Sequence, residues 1–536
     1  MPSLLATTKP TINWPRHYVS TFWRGFFVLI THFEALRKEN WRASGFIIQA
    51  AHRETQAKCV TLAPLIGTMK LKDRLLLKIR NGEELPRSAQ FRLIALLGLP
   101  AILAQFSTIV MQYIDAAMVG RLGADPAAAV GIVTTTTWLF GGLCFSAATG
   151  FSVQVAHQIG GGDFRAARDV LRVGFKCVLL LSAVLLLVGC AISDALPRWL
   201  RGDVSIHADA TAYFFIFSLG VPFIQLNFLA GNALRAAGNV AVPTLLNILM
   251  CIWDVLLNWL LIFPSRELTF FGLQIHVPGA DLGVTGAALG TAIAEVITAL
   301  SMTYYLCCRC PDLHIFKRKE RPVLTASRIL KRAFRVSLPM ALERAVMCGA
   351  QILSTVIVAP LGNAAIAANS FAITAESLCY LPGYGVGDAA ITLVGQSVGA
   401  GRKELTYSFA RLTTWTGIAV MTLMGVVLYA AAPLMMALFT PDMEVQTLGV
   451  SILRIEAFAE PMFAAAIVVY GVFVGLGRTI VPAAMNLFSI WAVRLTLAAL
   501  LVDSYGLRGV WIAMCVELCF RGLIFLGWMR LRVKKV

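Results

Sequence analysis

Residues 93–120 read LIALLGLPAILAQFSTIVMQYIDAAMVG, and Asp115 is the only charged residue among them. A helix needs about 20 mostly apolar residues to cross the roughly 30 Å hydrocarbon core of a bilayer, so this stretch is long enough to span it. A carboxylate inside that core costs about 3 kcal/mol, and intramembrane acids usually face a cavity on the path of an ion or a substrate. The stretch therefore predicts a transmembrane helix with a functional acid near one end.

The whole chain has the composition of a polytopic membrane protein. Of its 536 residues, 58% are hydrophobic and 14% are charged, against about 45–50% and 25% in soluble domains. The net charge of +17 comes from basic residues in short loops between apolar runs, as the positive-inside rule places them. We therefore expect the lipid bilayer as a partner and no nucleic acid.

The motifs of several enzyme classes are missing from the sequence. Most of the 12 cysteines lie singly in apolar segments, where thiols behave as small hydrophobic groups. No HExxH motif, Walker loop or paired CxxC motif occurs, which argues against a metalloenzyme or a nucleotide-driven pump. We expect neither an enzyme nor a bound metal or cofactor.

Twelve apolar segments follow one another along the chain. Basic residues favour alternate connections and the C-terminal tail, so we expect both termini in the cytosol. The predicted organisation is, in chain order, an N-terminal extension (1–68), a cytosolic lead-in (69–91), a six-helix bundle (92–310), a cytosolic linker (311–331), a second six-helix bundle (332–530) and a basic tail (531–536).

Residues 1–68 differ from the rest because they lack a full-length apolar run. They are either an organelle transit peptide or an upstream region included by an early start codon. We favour the second interpretation, because the stretch from Met69 already reads as a complete cytosolic lead-in. The predicted location is the inner (plasma) membrane, or an organelle membrane if the extension is a transit peptide.

The two halves of the chain repeat at an offset of 239 residues. Pro100 in GLPAILAQ matches Pro339 in SLPMALER, Gly160 in HQIGGGD matches Gly399 in QSVGAGR, and AAGNVAVP matches GLGRTIVP. Six crossings per repeat is an even number, so both halves share one orientation and are related by an axis along the membrane normal. The sequence thus predicts an all-α integral membrane fold of 12 transmembrane helices, in two six-helix bundles related by a pseudo-twofold axis.

Five motifs resemble those of the multidrug and toxic compound extrusion (MATE) family. They are YIDAAMVGRLG, HQIGGGDFRAA, LRAAGNVAVP, GVTGAALGT and AESLCYLPGYGVGDAAITLVGQSVGAG. The resemblance covers residues 90–530 and is closest to the branch typified by DNA-damage-inducible protein F. It implies a secondary antiporter that exports small molecules, often cationic and amphipathic drugs, in exchange for Na+ or H+, and we expect a monomer. The nearest alternative is a flippase of lipid-linked precursors from the same wider superfamily, followed by a passive channel or sensor.

Polar residues inside the predicted spans form the candidate cation-coupling site. Asp254 and Asn258 are four residues apart and share one face of the fifth span. Thr291 in the sixth span and Asp115 in the first lie at a similar depth. Related transporters carry an acid on the first span and an Asn/Asp pair on the fifth, and here that pair is in reverse order. Alternatively, these residues have a purely structural role as hydrogen bonds between helices, each worth about 1 kcal/mol. Two acids without an evident basic partner are costly in that role.

Several other intramembrane residues are candidates of lower rank. Three acids are predicted to line the substrate cavity: Glu295, Glu343 and Glu376. Pro100 is the predicted hinge of the first span, because proline removes a helical hydrogen bond. Glu517 and Arg521 are four residues apart in the last span and are predicted to form a structural ion pair.

Overall fold

The computed structural model describes residues 71–200, 202–270, 273–315 and 322–533. The predicted extension 1–68 lies outside these residues. The chain divides into two compact units, Met1–Arg74 and Leu75–Val536. The membrane helices described below lie in the second unit.

Among the described residues, nine uninterrupted helices are long and apolar enough to cross a membrane. The first six are α1 (Arg87–Gly120), α2 (Ala124–Gly160), α3 (Phe164–Ile192), α4 (His207–Ala236), α5 (Ala241–Ile262) and α6 (Gly283–Tyr304). The next three are α7 (Ala326–Val358), α8 (Asn363–Gly399) and α9 (Lys403–Phe439).

Two broken helices bring the number of spans among the described residues to twelve. α10 consists of Met443–Ala457 and Glu460–Gly475, which meet at an angle of 57°. The helical stretch Ile480–Arg532 is 53 residues long and would extend about 80 Å, far more than one crossing. It is interrupted at Gly506, whose φ of 56° and ψ of −138° are not helical. We call the part before Gly506 α11 and the part after it α12.

The helices form two bundles, α1–α6 and α7–α12, with the same internal packing. α4 packs against α2, α3 and α6, and α10 packs in the same way against α8, α9 and α12. α1 packs against α5, as α7 does against α11. Between the bundles, α1 contacts α8 and α2 contacts α7. The twofold relation that places α1 on α7 and α2 on α8 converts one of these contacts into the other. The predicted pair of bundles related by a pseudo-twofold axis is confirmed.

The glycines of the repeated turns take backbone conformations that other residues rarely adopt. Gly162 and Gly401 have φ values of 77° and 70°, and Gly238 and Gly477 have values of 86° and 71°. Glycine tolerates positive φ because it lacks a Cβ atom. These repeated glycines therefore serve the turns between helices and need no ligand to explain them.

A β-hairpin lies between α5 and α6, where the sequence predicted only a longer loop. Strands β1 (Pro264–Phe270) and β2 (Leu273–Ala280) pair antiparallel, with Glu267 opposite His276. The alternation of polar and apolar residues in ELTF and LQIHV suits a strand. The fold of the described residues is thus all-α apart from this hairpin.

The two bundles meet at the predicted cytosolic face through a reciprocal pair of hydrogen bonds. Nε2 of His157 lies 2.7 Å from the carbonyl oxygen of Gly475 in the other bundle. Nε2 of Gln396 donates to the carbonyl oxygen of Ala236 at 2.7 Å. Both pairs of positions, 157 with 396 and 236 with 475, are related by the repeat offset. We call this arrangement, together with Gly160 and Gly399, the clasp.

Glycine allows α2 and α8 to approach each other in the clasp. A Cβ atom added to Gly160 would overlap the backbone carbonyl of Gln396, and one added to Gly399 would overlap that of His157. The obstructing atoms belong to the backbone and cannot rotate away. The helices therefore come together only because both positions lack a side chain.

We expect Gly160→Ala to lower the free energy of unfolding by about 1–3 kcal/mol, because an added methyl group in a packed interface forces the backbone apart. Thermal melting of the detergent-purified protein measures this effect. Gly141→Ala is the matched control on the same helix, because a Cβ atom there meets nothing within 4 Å. Equal melting temperatures for the two variants would contradict the assignment.

Candidate functional site

The four predicted coupling residues come together inside the first bundle. Nδ2 of Asn258 donates to Oδ1 of Asp115 at 2.8 Å and to Oδ2 of Asp254 at 3.2 Å. Asp254 also interacts with Thr291 and with the carboxyl group of Asp115. Asp254 and Asn258 are 0% exposed. The reversed order of the pair on α5 therefore places the amide, rather than an acid, between the two carboxyl groups.

Local helix geometry explains how α5 and α6 bring these groups together. Asp254 and Asn258 are one turn apart on α5 and so point to the same side. α6 faces them with Gly286 and Gly290, also one turn apart. A Cβ atom on Gly290 would overlap the amide oxygen of Asn258, and one on Gly286 would overlap the backbone of Leu261. Small residues four apart let membrane helices approach closely. The sequence GVTGAALGT contains both of these glycines, so the pattern is visible in the sequence.

The site has no counter-charge among the described residues. The contacts of Asp115 and Asp254 are to each other, to Asn258 and to Thr291. Oδ1 of Asp254 and Oδ1 of Asn258 are buried and have no hydrogen-bond partner in the described part of the chain. Burying an unpaired carboxylate costs several kcal/mol, so the site favours a proton or a bound cation. Its oxygen ligands suit a hard cation.

The described residues contain no group of three or more His, Cys, Asp or Glu side chains that could hold a metal ion. Glu295 lies one turn beyond Thr291 and accepts a hydrogen bond from Nδ2 of Asn227 at 2.8 Å. That bond ties α6 to α4 within the bundle.

A cavity of about 130 Å³ lies at the boundary between the bundles, mostly within the second bundle and closed by α2 of the first, and it contains one of the three predicted cavity acids. Its walls include Phe145 of α2, Tyr384 of α8 and Arg521 of α12. Glu343 lines it and accepts hydrogen bonds from the hydroxyl of Tyr470 at 2.6 Å and from the amide of Asn486. The cavity thus combines aromatic walls with charged groups held by hydrogen bonds.

Glu295 and Glu376 are not among the residues that line this cavity. Glu295 faces α4, as described above. Glu376 is 7% exposed and lies on the side of α8 that faces α10, where it interacts with Glu456 and Glu460. The two α10 acids are 0% exposed, and their carboxyl oxygens have no hydrogen-bond partner among the described residues. Sequence spacing placed Glu376 on the correct helix, but it did not determine which side of α8 faces the other bundle.

The predicted pair of Glu517 and Arg521 is confirmed. Nη2 of Arg521 donates to Oε2 of Glu517 at 3.3 Å, with Nε 3.0 Å from Oε1, and Ser489 donates a hydrogen bond to the same carboxylate. Arg521 also lines the cavity, which the sequence did not predict. The pair therefore holds a guanidinium group at the cavity wall.

Comparison with known proteins identifies the family. The family model described as MatE matches residues 100–260 and again residues 339–500. The chain belongs to the MatE family. The two matches begin at Pro100 and Pro339, which are the prolines that open the repeat. MatE proteins are membrane transporters, so this chain is a multi-pass membrane transporter.

Two curated relatives of this MatE chain share a name. "Probable multidrug resistance protein NorM" of Thermotoga maritima is 26% identical over 442 residues, covering 80% of this chain and 89% of the relative. The protein of the same name from Deinococcus radiodurans is also 26% identical and covers 82% of this chain and 95% of its own length.

Solved MatE structures share the fold. A structure described as the outward-facing conformation of a multidrug resistance MATE family transporter aligns with a TM-score of 0.76 at 21% identity, covering 83% of this chain and 96% of that one. A MOP superfamily transporter from Pyrococcus furiosus, described as having a binding pocket of reverse polarity, aligns with a TM-score of 0.74 at 21% identity and the same coverage.

The buried ion pair at the cavity wall gives a stability prediction. Arg521→Met should lower the free energy of unfolding by about 3–5 kcal/mol, because Glu517 would be left charged and buried without its partner. Replacing both residues, as Glu517→Leu with Arg521→Met, should recover most of that loss. Thermal melting in detergent compares the variants, and a double variant no more stable than the single one would contradict this account.

Proposed function

We propose that this chain is a secondary antiporter that exports drugs and toxic compounds, cationic or amphipathic in character, in exchange for Na+ or H+. The observation that carries the proposal is the pair of Asp115, which is half-buried, and Asp254, which is fully buried; neither has a basic partner among the described residues. Such a pair is costly as a structural device. It becomes useful if its charge is neutralised and restored once in every transport cycle.

The coupling begins with binding at the carboxyl pair. Burial disfavours the charged carboxylate and repulsion between the two acids disfavours it further. A proton or a Na+ ion entering from the outside removes both costs. The two groups act as one coupled unit, because each changes the electrostatic environment of the other.

The helix that carries Asp115 also contacts the opposite bundle. A change at the site can therefore move the two bundles relative to each other. Two residues before Asp115, the hydroxyl of Tyr113 donates to the carbonyl oxygen of Thr374 on α8 at 2.7 Å. Nearer the other end of α1, Thr244 of α5 donates to the carbonyl oxygen of Pro100 at 2.9 Å. We assign Pro100 as the point where α1 bends, because the helix lacks a hydrogen bond there.

Substrate binding is assigned to the cavity between the bundles, where Glu343 meets aromatic side chains. Movement of α1 changes the contact between the bundles and so reshapes this cavity. Exchange requires that ion and substrate weaken each other's binding, a coupling of about 1–3 kcal/mol. The names of the curated relatives support multidrug export as the purpose of this exchange.

The proposed setting is a bacterial-type inner membrane with both termini in the cytosol, and with the protein acting as a monomer. The distribution of basic residues in the loops supports this orientation. Residues at the ends of α2, α4, α8 and α10, including the whole clasp, then lie at the cytosolic face. The clasp joins the bundles at that face, as alternating access requires of one end of the transporter.

Asp115→Asn should insert and fold normally but lose at least about tenfold in gradient-driven efflux, because the site would be permanently neutral. Asp254→Asn should behave nearly the same. Purified protein in liposomes, with a Na+ or a H+ gradient imposed alone and a cationic dye as substrate, measures this and identifies the ion.

The matched control is Asp125→Asn, an exposed acid in the first turn of α2, which should leave efflux unchanged. Full ion-driven efflux by Asp115→Asn would remove that residue from the coupling site. Dye flux without any gradient would instead indicate a channel, and movement of lipid-linked oligosaccharide would indicate a flippase.

Gly290→Ala tests the position of Asn258 without touching a polar side chain. The added methyl group would overlap the amide oxygen of Asn258 and should displace the amide from the two acids. We expect a partial loss of efflux, about as large as that of Asn258→Ala and smaller than that of Asp115→Asn. Gly220→Ala on α4, where a Cβ atom meets nothing within 4 Å, should transport normally. Wild-type efflux by Gly290→Ala would contradict the packing argument.

A further inference from the structure

A second cavity, away from the transport site, lies at the predicted cytosolic face between α7, the start of α11 and the end of α12. Its volume is about 330 Å³. Three arginines line it, Arg335, Arg478 and Arg532, together with Trp528 and an apolar strip. The lining contains no acidic residue. We call this cavity the arginine pocket.

The three guanidinium groups of the arginine pocket have no anionic partner among the described residues. Other arginines among the described residues are paired, such as Arg172 with Asp169 and Arg198 with Asp194 in the first bundle. Arg532 lies over the ring of Trp528, with its guanidinium carbon 4.7 Å from the ring centroid. Stacking of this kind leaves the N–H edge of the guanidinium free to donate hydrogen bonds. Three like charges that converge without a counter-ion indicate a site for an anion.

Hydrogen bonds to backbone carbonyls hold together the two chain segments that carry Arg335 and Arg478. The hydroxyl of Thr479 donates to the carbonyl oxygen of Val336 at 2.9 Å and is also bonded to that of Arg335 at 3.3 Å. This ties the start of α11 to α7. Arg478 directly precedes Thr479, and Arg335 is one of the two residues whose carbonyl oxygen Thr479 contacts, so these bonds keep the two arginines near each other.

The pocket continues into a surface suited to hydrocarbon. Ile480 and Val481, which line it, are 60% and 40% exposed. Phe334 and Leu338 on α7, on either side of Arg335 in the sequence, are 63% and 53% exposed. A ligand in this pocket therefore meets positive charge at the membrane surface and apolar side chains below it.

The fold itself does not require the arginine pocket. At the repeat offset, the positions of Arg335 and Arg478 correspond to Leu96 and Asn239 in the first bundle. The equivalent corner of the first bundle therefore lacks both charges. The pocket is a feature of one bundle only, as expected of a specific binding site.

We propose that the arginine pocket binds the phosphate group of an anionic phospholipid, with the acyl chains lying along Ile480 and Val481. Arginine is suited to phosphate because its planar N–H groups match the phosphate oxygens. Basic pockets between helices at the cytosolic side are where anionic headgroups bind. The proposal does not depend on the transported substrate or on the coupling ion.

The position of the pocket gives the lipid a structural role. Gly477 lines the pocket, and a Cβ atom there would lie 3.6 Å from Cε1 of His157. His157 forms one of the two hydrogen bonds of the clasp. A phospholipid in the pocket therefore packs behind the clasp and stabilises the contact between the bundles at this face.

The test is lipid binding by the purified, delipidated full chain in detergent, counted by native mass spectrometry. Wild-type protein should bind phosphatidylglycerol in preference to phosphatidylcholine. Arg335→Gln and Arg478→Gln should each weaken phosphatidylglycerol binding about fivefold, since an arginine near the membrane surface contributes about that factor. All three arginines are exposed, so the variants should fold, and their melting temperatures verify this.

Arg411→Gln is the matched control, because it removes the same charge from an exposed position near the same face, outside the pocket. Its phosphatidylglycerol binding should equal that of wild type. Unchanged binding by Arg335→Gln and Arg478→Gln, or an equal loss in Arg411→Gln, would overturn the site. Thermal stabilisation by inorganic phosphate equal to that by phosphatidylglycerol, and lost in the same variants, would show a site for free phosphate and overturn the lipid assignment.

Discussion

The hydrogen bonds of Asn258 to two carboxyl groups hold together the part of this protein on which the proposed cycle depends. One amide nitrogen contacts an acid from α1 and an acid from α5. This donor is neutral, whereas a charged donor would neutralise the acids. A lysine there would pair permanently with the carboxylates. The amide keeps the acids close without neutralising them, so the electrostatic cost of the site remains available to be relieved by an ion.

The repeat and the hydrophobic pattern predicted most of the fold. The shared offset predicted equal bundles, and the intramembrane polar residues at helical spacing predicted which side chains of α1, α5 and α6 meet. The sequence could not predict the partners of Glu343, because Tyr470 and Asn486 lie 127 and 143 residues away on other helices. It also could not predict which side of α8 Glu376 occupies, since that depends on the rotation of the helix in the finished bundle. The β-hairpin was missed because its pattern is short and lies between two strong helical signals.

The two bundles resemble each other more closely in backbone structure than in their polar side chains. At the repeat offset, Asp115 corresponds to Ser354, and Glu456 and Glu460 correspond to Phe217 and Val221. The first bundle thus contains the bridged pair of acids, while the second contains unbridged acids at the bend of α10. Packing between helices needs only similar shapes and tolerates this divergence. Each bundle has therefore been free to acquire its own polar interior on one shared frame.

The clasp uses the same elements twice, once from each half. Each half contributes a polar side chain, a glycine and a backbone carbonyl, and receives the same three from the other half. This is the self-complementary arrangement of a twofold dimer interface, in which one patch meets a copy of itself. A single six-helix chain with these elements would make the identical contact with a second copy, without any linker. The architecture of the joined protein is therefore that of a homodimer whose subunits now lie in one polypeptide, and its two halves can diverge wherever that interface is not involved.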